Sequence, residues 1–271
     1  MTQIIRPGTA AGAGALLLLL GPLVSWVAEL VTAAAWQDPP YSPLYNWVSH
    51  LGLTGPAQTA FGQVGNSPLG VVMDAGWVLY GTVLVVGAFL AFDLRKGVRP
   101  VIIVVLATVA GVGVSLVGLF QGSNANVENG LIVFHTVGAQ GVMIAGNVMA
   151  IVVGANGARI GLGRAWSIAS TVVGIVGLVM FPLFMADVFT GWMWNIGLFE
   201  RGVIYPIMAG HVLLGSGLIA VRRSKGARLT AASPERAAGW LASAGQSLRI
   251  VEVARILRER PGQRAAKVPT R

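Results

Sequence analysis

The chain has 271 residues, of which 55% are hydrophobic and only 11% charged, against roughly 25% charged in an average soluble domain. So few charged side chains could not cover the surface of a soluble domain of this length, which excludes a soluble enzyme, and so apolar a chain is not a disordered one. Cysteine is absent, which excludes disulfides, thiolate metal sites and a cysteine nucleophile.

A spanning helix needs about 20 mostly apolar residues. Six runs qualify, near 10–35, 69–92, 101–121, 131–154, 166–187 and 202–221. They are continuous, without the alternation of barrel strands, so the expected fold is an all-α, polytopic bundle of six transmembrane helices. Basic residues orient it. Arg6 precedes the first run, Arg95, Lys96 and Arg99 lie between the second and third, and Arg159 and Arg164 between the fourth and fifth. Twelve more follow the sixth, and only Arg201 falls on the other side. The positive-inside rule then puts both termini in the cytoplasm of a plasma membrane. The excess of arginine (16) over lysine (3) has the look of a bacterial, high-GC genome.

Taken in chain order, the first run carries Glu29 near its outer end. Arg6, Leu16–Leu20 and Ala33-Ala34-Ala35 imitate a cleavable signal peptide, but the apolar stretch exceeds a 7–15-residue core, so it is read as a retained span. The outer loop, 36–68, opens with prolines 39, 40 and 43. Within it Leu44, Trp47, Val48 and Leu51 recur at helical spacing, which predicts a short amphipathic helix at the outer interface, with Tyr41, Tyr45 and Trp47 suited to the headgroup belt.

Ionisable residues inside spans are costly and face the bundle interior or water. Asp74 lies in span two, His135 in span four, and His211 near the middle of span six. Asp187 ends span five, and Glu128, Glu200 and Arg201 are expected on the outer rim. Ser49, His50, Asp74, His135, Glu200, Arg201 and His211 are therefore the candidate polar vestibule. Three uses fit them. His50, His135, His211 and Asp74 could hold zinc with an open position for water, although no H-E-x-x-H spacing supports it. Asp74, His135 and His211 could form a proton or substrate path. The third use is hydrogen bonding between helices, the default for His211. Arg201 would clamp a phosphate or carboxylate, or pair with Glu128, Asp187 or Glu200 and tie the outer loops together. No G-x-S-x-G elbow or Walker loop is present. Gly111…Ser115 and Gly141…Ala145 are small-xxx-small pairs for close helix packing, and Asn147 is expected to bond a neighbouring helix.

Residues 1–221 form the membrane domain and are formally neutral, whereas 222–271 carry the whole +9. Arg222, Arg223 and Lys225 follow the last span as a basic cluster suited to anionic lipid of the inner leaflet. Ser233-Pro234-Glu235 starts an amphipathic helix near 234–260, which would lie on the membrane or dock a partner helix. The charge belongs to this tail, so no nucleic acid is expected as a partner.

Ser49-x-Leu51-Gly52, Asn66 before span two, and Gly197-x-x-Glu200-Arg201 at span six complete a familiar pattern over roughly 10–221. In these the sequence resembles the bacterial six-span membrane family catalogued as domain-of-unknown-function family 998 (DUF998). The resemblance implies an architecture and supplies no reaction. The membrane hydrolases resembling alkaline ceramidases differ: they have seven spans and a paired His-x-x-x-His, where here Gly215 follows His211 by four residues. The expected function is an outward-facing vestibule that binds an amphiphile or assists a cell-envelope process, without a cofactor. The alternatives are a zinc-dependent lipid hydrolase and a small proton-linked transporter.

Overall fold

The computed structural model describes residues 4–6, 8–192 and 195–224. Its helices are α1 (Thr9–Ala35), α2 (Gly70–Ala91), α3 (Val98–Leu119), the short α4 (Asn124–Glu128), α5 (Ile132–Ala155), the short α6 (Gly157–Ile160), α7 (Arg164–Thr190) and α8 (Ile196–Ser224). The six long ones are each long and apolar enough to cross a membrane. The chain is an all-α, multi-pass integral membrane protein. The first five spans fall within three residues of the expected limits. The sixth starts at Ile196 rather than 202, because Glu200 and Arg201 find partners inside the bundle and so extend the helix instead of ending it.

Two units divide the chain, Met1–Arg222 and Arg223–Arg271. The amphipathic helix expected near 234–260, and Lys225, lie outside the described residues. Of the basic cluster, Arg222 donates from Nη1 to the Gly8 carbonyl at 2.6 Å, and Arg223 is exposed.

Helix-on-helix packing follows residue size. The buried faces are rich in small residues: Gly14, Ala15, Gly21 and Ala28 on α1, Ala107, Ala110, Gly111 and Gly113 on α3. Large apolar side chains such as Leu30, Val71, Val105, Val137 and Val179 point outward. In lipid this is the expected sense, since tails solvate Leu and Val well and close backbone approach is what holds helices together. Gly81 of α2 faces the Gly111 carbonyl and Ser115 of α3, so the predicted Gly111…Ser115 pair is a packing seam. Consecutive spans pack side by side from α1 to α7. Helix α8 is the hub. Its Gly215 lies against Ala15 and Leu19 of α1, its Ile207 against Gly146 of α5, and its Gly202 against Met180 of α7. Asn147 of α5 donates to the Val203 carbonyl of α8 at 3.2 Å, as expected of an amide deep in a span.

The loop between α1 and α2 differs from its expected form. Instead of an amphipathic helix on the interface, it makes turns, a 3₁₀ helix at Ser49–Gly52 and an antiparallel hairpin of β1 (Gln58–Ala60) and β2 (Gln63–Gly65). Trp47, Val48, His50 and Leu51 are buried, so the segment caps the bundle from within. The reason is local. Gly52 packs against Asp74 and Trp77, where any side chain would collide, and Ser67 donates to the Leu51 carbonyl at 2.7 Å. Asn66 donates to the Asp38 carbonyl at 2.7 Å and closes the base of the loop.

Candidate functional site

Glu200 and Arg201 lie in the first turns of α8 beneath the cap, and both are buried. This corrects their expected place on the rim; exposed Glu128 remains there. Adjacent side chains on a helix diverge, so the two serve different neighbours. Arg201 pairs with Glu29 of α1, not with Glu128, Asp187 or Glu200. Its Nη2 is 2.8 Å and its Nε 3.0 Å from Glu29 Oε1. The remaining donors are also used. Nη1 reaches the carbonyls of Pro43 at 2.7 Å and Gly197 at 3.2 Å, and Nη2 reaches the Tyr41 hydroxyl at 2.5 Å. Tyr205 accepts from Nε at 3.2 Å and donates to Glu29 at 2.8 Å. Gly197 leaves the room that the Pro43 and Asn46 carbonyls occupy. Arg201 therefore ties loop, α1 and α8 together and has no donor left for a ligand. Burial pushes the Tyr41 phenol up, with Arg201 opposing, so it stays a neutral hydroxyl. Its O–H donates a hydrogen bond to the Trp47 carbonyl at 3.2 Å.

Glu200 faces the other way. Its Oε2 accepts the Val48 N–H at 2.5 Å, and its carboxyl lines a cavity of about 210 Å³. The cavity lies between the cap, α5, α7 and α8. Ser49, His135 and Glu200 give it one polar side, with Thr136 and Gln140 at an exposed mouth. Trp47, Phe61, Met143, Phe184, Met185 and Val188 give it an apolar one. Inward, a smaller cavity of about 50 Å³ shares Ser49, His135 and Glu200 and ends among Tyr80, Ile207 and Met208.

His135 Nδ1 is 2.7 Å from the Phe120 carbonyl. A carbonyl only accepts, so Nδ1 carries the proton and Nε2 keeps its lone pair. Trp47 anchors the aromatic wall: Phe184 meets it edge-on at 5.8 Å, and Phe61 lies tilted at 6.1 Å.

Of the seven candidate residues, the structure gathers three, Ser49, His135 and Glu200. His50 is fully buried behind the wall, flanked by the rings of Trp47 at 6.1 Å and Phe61 at 6.4 Å. Both its nitrogens lack a hydrogen-bond partner. Burial, followed by repulsion from His135, lowers its pKa to about 4, so it is neutral at physiological pH. Asp74 accepts from Gln121 at 2.8 Å. His211 meets the Tyr80 hydroxyl at 2.6 Å in the bundle interior. His135, His211 and Asp74 thus have separate partners, His50 has none, and among the described residues no three His, Asp or Glu side chains gather as a metal site would require.

Sequence reasoning missed the apolar wall. One signal was available: Phe181, Phe184, Met185 and Val188 recur at helical spacing on α7. The hairpin that delivers Phe61 had none beyond its turn glycine, Gly62, at φ 76°.

The sequence pattern of a family described as "Protein of unknown function (DUF998)" matches residues 19–217. No curated protein and no solved structure matches the chain.

Proposed function

The chain belongs to the DUF998 family, and from its site we propose that this integral membrane protein binds an amphiphile in an outward-facing cavity of the plasma membrane. The observation that carries this reading is a polar cluster, Ser49, His135 and buried Glu200, lining one cavity together with an aromatic–aliphatic wall, with exposed Thr136 and Gln140 at its edge. A site for a wholly apolar molecule would not carry Ser49, His135 and Glu200 together. A site for a small polar solute would not line the same cavity with Met143, Phe184, Met185 and Val188. The cavity is smaller than the ~300–1,000 Å³ of an ordinary ligand pocket. It accommodates a head group and the start of a chain, and the rest would run along the apolar surface of α5 and α7. With both termini cytoplasmic, the cap and the mouth face the outside, and the basic run Arg222, Arg223 and Lys225 in the sequence suits the anionic inner leaflet.

Native mass spectrometry of the detergent-purified protein tests the reading. A retained amphiphile is expected in the wild type and absent from Thr136→Trp, which fills the mouth. Identical lipid retention in both, with both folded, would overturn it.

A further inference from the structure

Two buried acids, Glu29 and Glu200, share one buried base under the cap. Glu29, Glu200 and Arg201 are all buried, and the single guanidinium is committed to Glu29. No other Arg or Lys lines the cavity, and among the described residues Glu200 takes part in no ion pair. An ionised carboxylate buried here needs a countercharge, since desolvation of an unpaired ion costs several kcal/mol and the group otherwise takes up a proton. Two backbone amides, those of Val48 and Ser49, satisfy only part of it.

The carboxylate faces three aromatic rings. Trp47, Phe61 and Phe184 line the same cavity as Glu200. Rings present electron-rich faces to a cation, and a cage of them recognises quaternary ammonium groups. An ammonium whose charge is spread over methyl groups also suits the surrounding methionines, because it sheds its water more readily than a compact ion. The other polar lining atoms do not oppose it. His135 offers a lone pair, and Ser49, Thr136 and Gln140 are neutral. Asp187, one turn beyond Phe184, is buried with Oδ2 unpartnered. A phosphate or sulfate head would meet a carboxylate and no available cation.

Resting on the amphiphile-binding reading above, we propose that the ligand class is a cationic amphiphile: an alkyl chain bearing a quaternary or tertiary ammonium, its head between Glu200 and the Trp47–Phe61–Phe184 wall and its chain leaving past Thr136 and Gln140. The cation completes the charge balance that Arg201 leaves unfinished.

The test uses the full chain in maltoside micelles and three probes of equal chain length: hexyltrimethylammonium, hexyl sulfate and hexylglycerol. Binding is followed by calorimetry, with Thr136→Trp as the filled-cavity reference for micelle partitioning. Hexyltrimethylammonium is expected to bind about tenfold more tightly than the other two, the scale of a desolvated cation–π contact with a countercharge. Glu200→Gln should remove about that tenfold for the ammonium alone, and Phe184→Leu part of it. Should Glu200→Gln fail to fold, Phe61→Leu on the exposed hairpin provides the aromatic arm. Equal or tighter binding of the glycerol or sulfate probe, lost in Thr136→Trp, would overturn the cationic assignment and leave the amphiphile cavity standing. Full ammonium affinity in folded Glu200→Gln, or in Phe61→Leu where that variant stands in, would also overturn the assignment. No probe binding that Thr136→Trp abolishes would overturn the cavity reading itself, and this inference with it.

Discussion

Arg201 and Glu29 stand 172 positions apart in sequence and 2.8 Å apart in space. Their pairing fixes the last span to the first, and the same guanidinium ties the cap to both. Breaking a buried pair by removing one partner typically costs about 3–5 kcal/mol. Arg201→Met is expected at the upper end, because it also takes the guanidinium donor from the Pro43 carbonyl. Arg201→Lys should recover only part of the loss, since an ammonium has three donors and no planar fork. Glu29→Gln, which keeps an acceptor for Tyr205, should cost least. Denaturation in mixed micelles ranks the three, and a lysine variant as stable as wild type would refute the hydrogen-bond account.

His50 predicts acid sensitivity. Its folded value of about 4 lies below the ordinary 6.5, so between those pH values the unfolded chain binds a proton that the folded chain refuses. Stability therefore falls as pH drops from about 6.5 to 4, by about 3 kcal/mol, and this contribution is flat below that window. His50→Phe keeps a ring between Trp47 and Phe61 and removes the proton. Melting against pH should show a shallower acid slope for the variant. Its stability at neutral pH should be equal or higher, because two unpartnered buried nitrogens are gone.

The two small-xxx-small pairs should behave differently. A Cβ at Gly111 would sit 2.6 Å from the Gly81 carbonyl oxygen, whereas at Gly141 the nearest atom is 3.8 Å away. Gly111→Ala should force α2 and α3 apart, at about 1–3 kcal/mol. Gly141→Ala should be neutral or slightly stabilising, as alanine is the better helix former. Thermal melts of the two alanine variants compare them directly.

Gln121 bridges cap and bundle. It accepts from the Thr54 N–H at 3.1 Å and donates to Asp74 at 2.8 Å. Gln121→Leu should leave the spans folded and loosen the loop after the 3₁₀ helix. Hydrogen exchange at the Thr54 amide is expected to quicken by about tenfold, the equivalent of one lost hydrogen bond of roughly 1.4 kcal/mol. Unchanged exchange would mean that Gln121 is not what holds the loop.

The six spans were legible because a continuous apolar run has a length and no other interpretation at that composition. The loop motifs were legible as motifs but not as geometry. Leu44, Trp47, Val48 and Leu51 have the spacing of a helix, yet prolines and the demand of Arg201 for carbonyls win over that periodicity. Glu29 was visible as a charge within a span and Arg201 as the one base among several acids. Choosing between Glu29 and Glu128, Asp187 or Glu200 required knowing that α8 packs on α1. The cavity draws on residues 47–61, 135–143, 184–188 and 200. No local pattern brings those together, and the charge balance that singles out Glu200 appears only after Arg201 has been assigned.

The separation of Glu29 from its partner also bears on how the protein is made. At about 5–20 residues per second, the ribosome delivers Arg201 on the order of 10–30 seconds after Glu29. Through that interval the first helix carries a carboxylate with no guanidinium to meet it. It must wait close to the lipid headgroups while four further spans emerge. The last helix then settles the first. A nascent chain stalled before it would display an unpaired acid inside the membrane, a mark by which quality control could tell an unfinished bundle from a finished one.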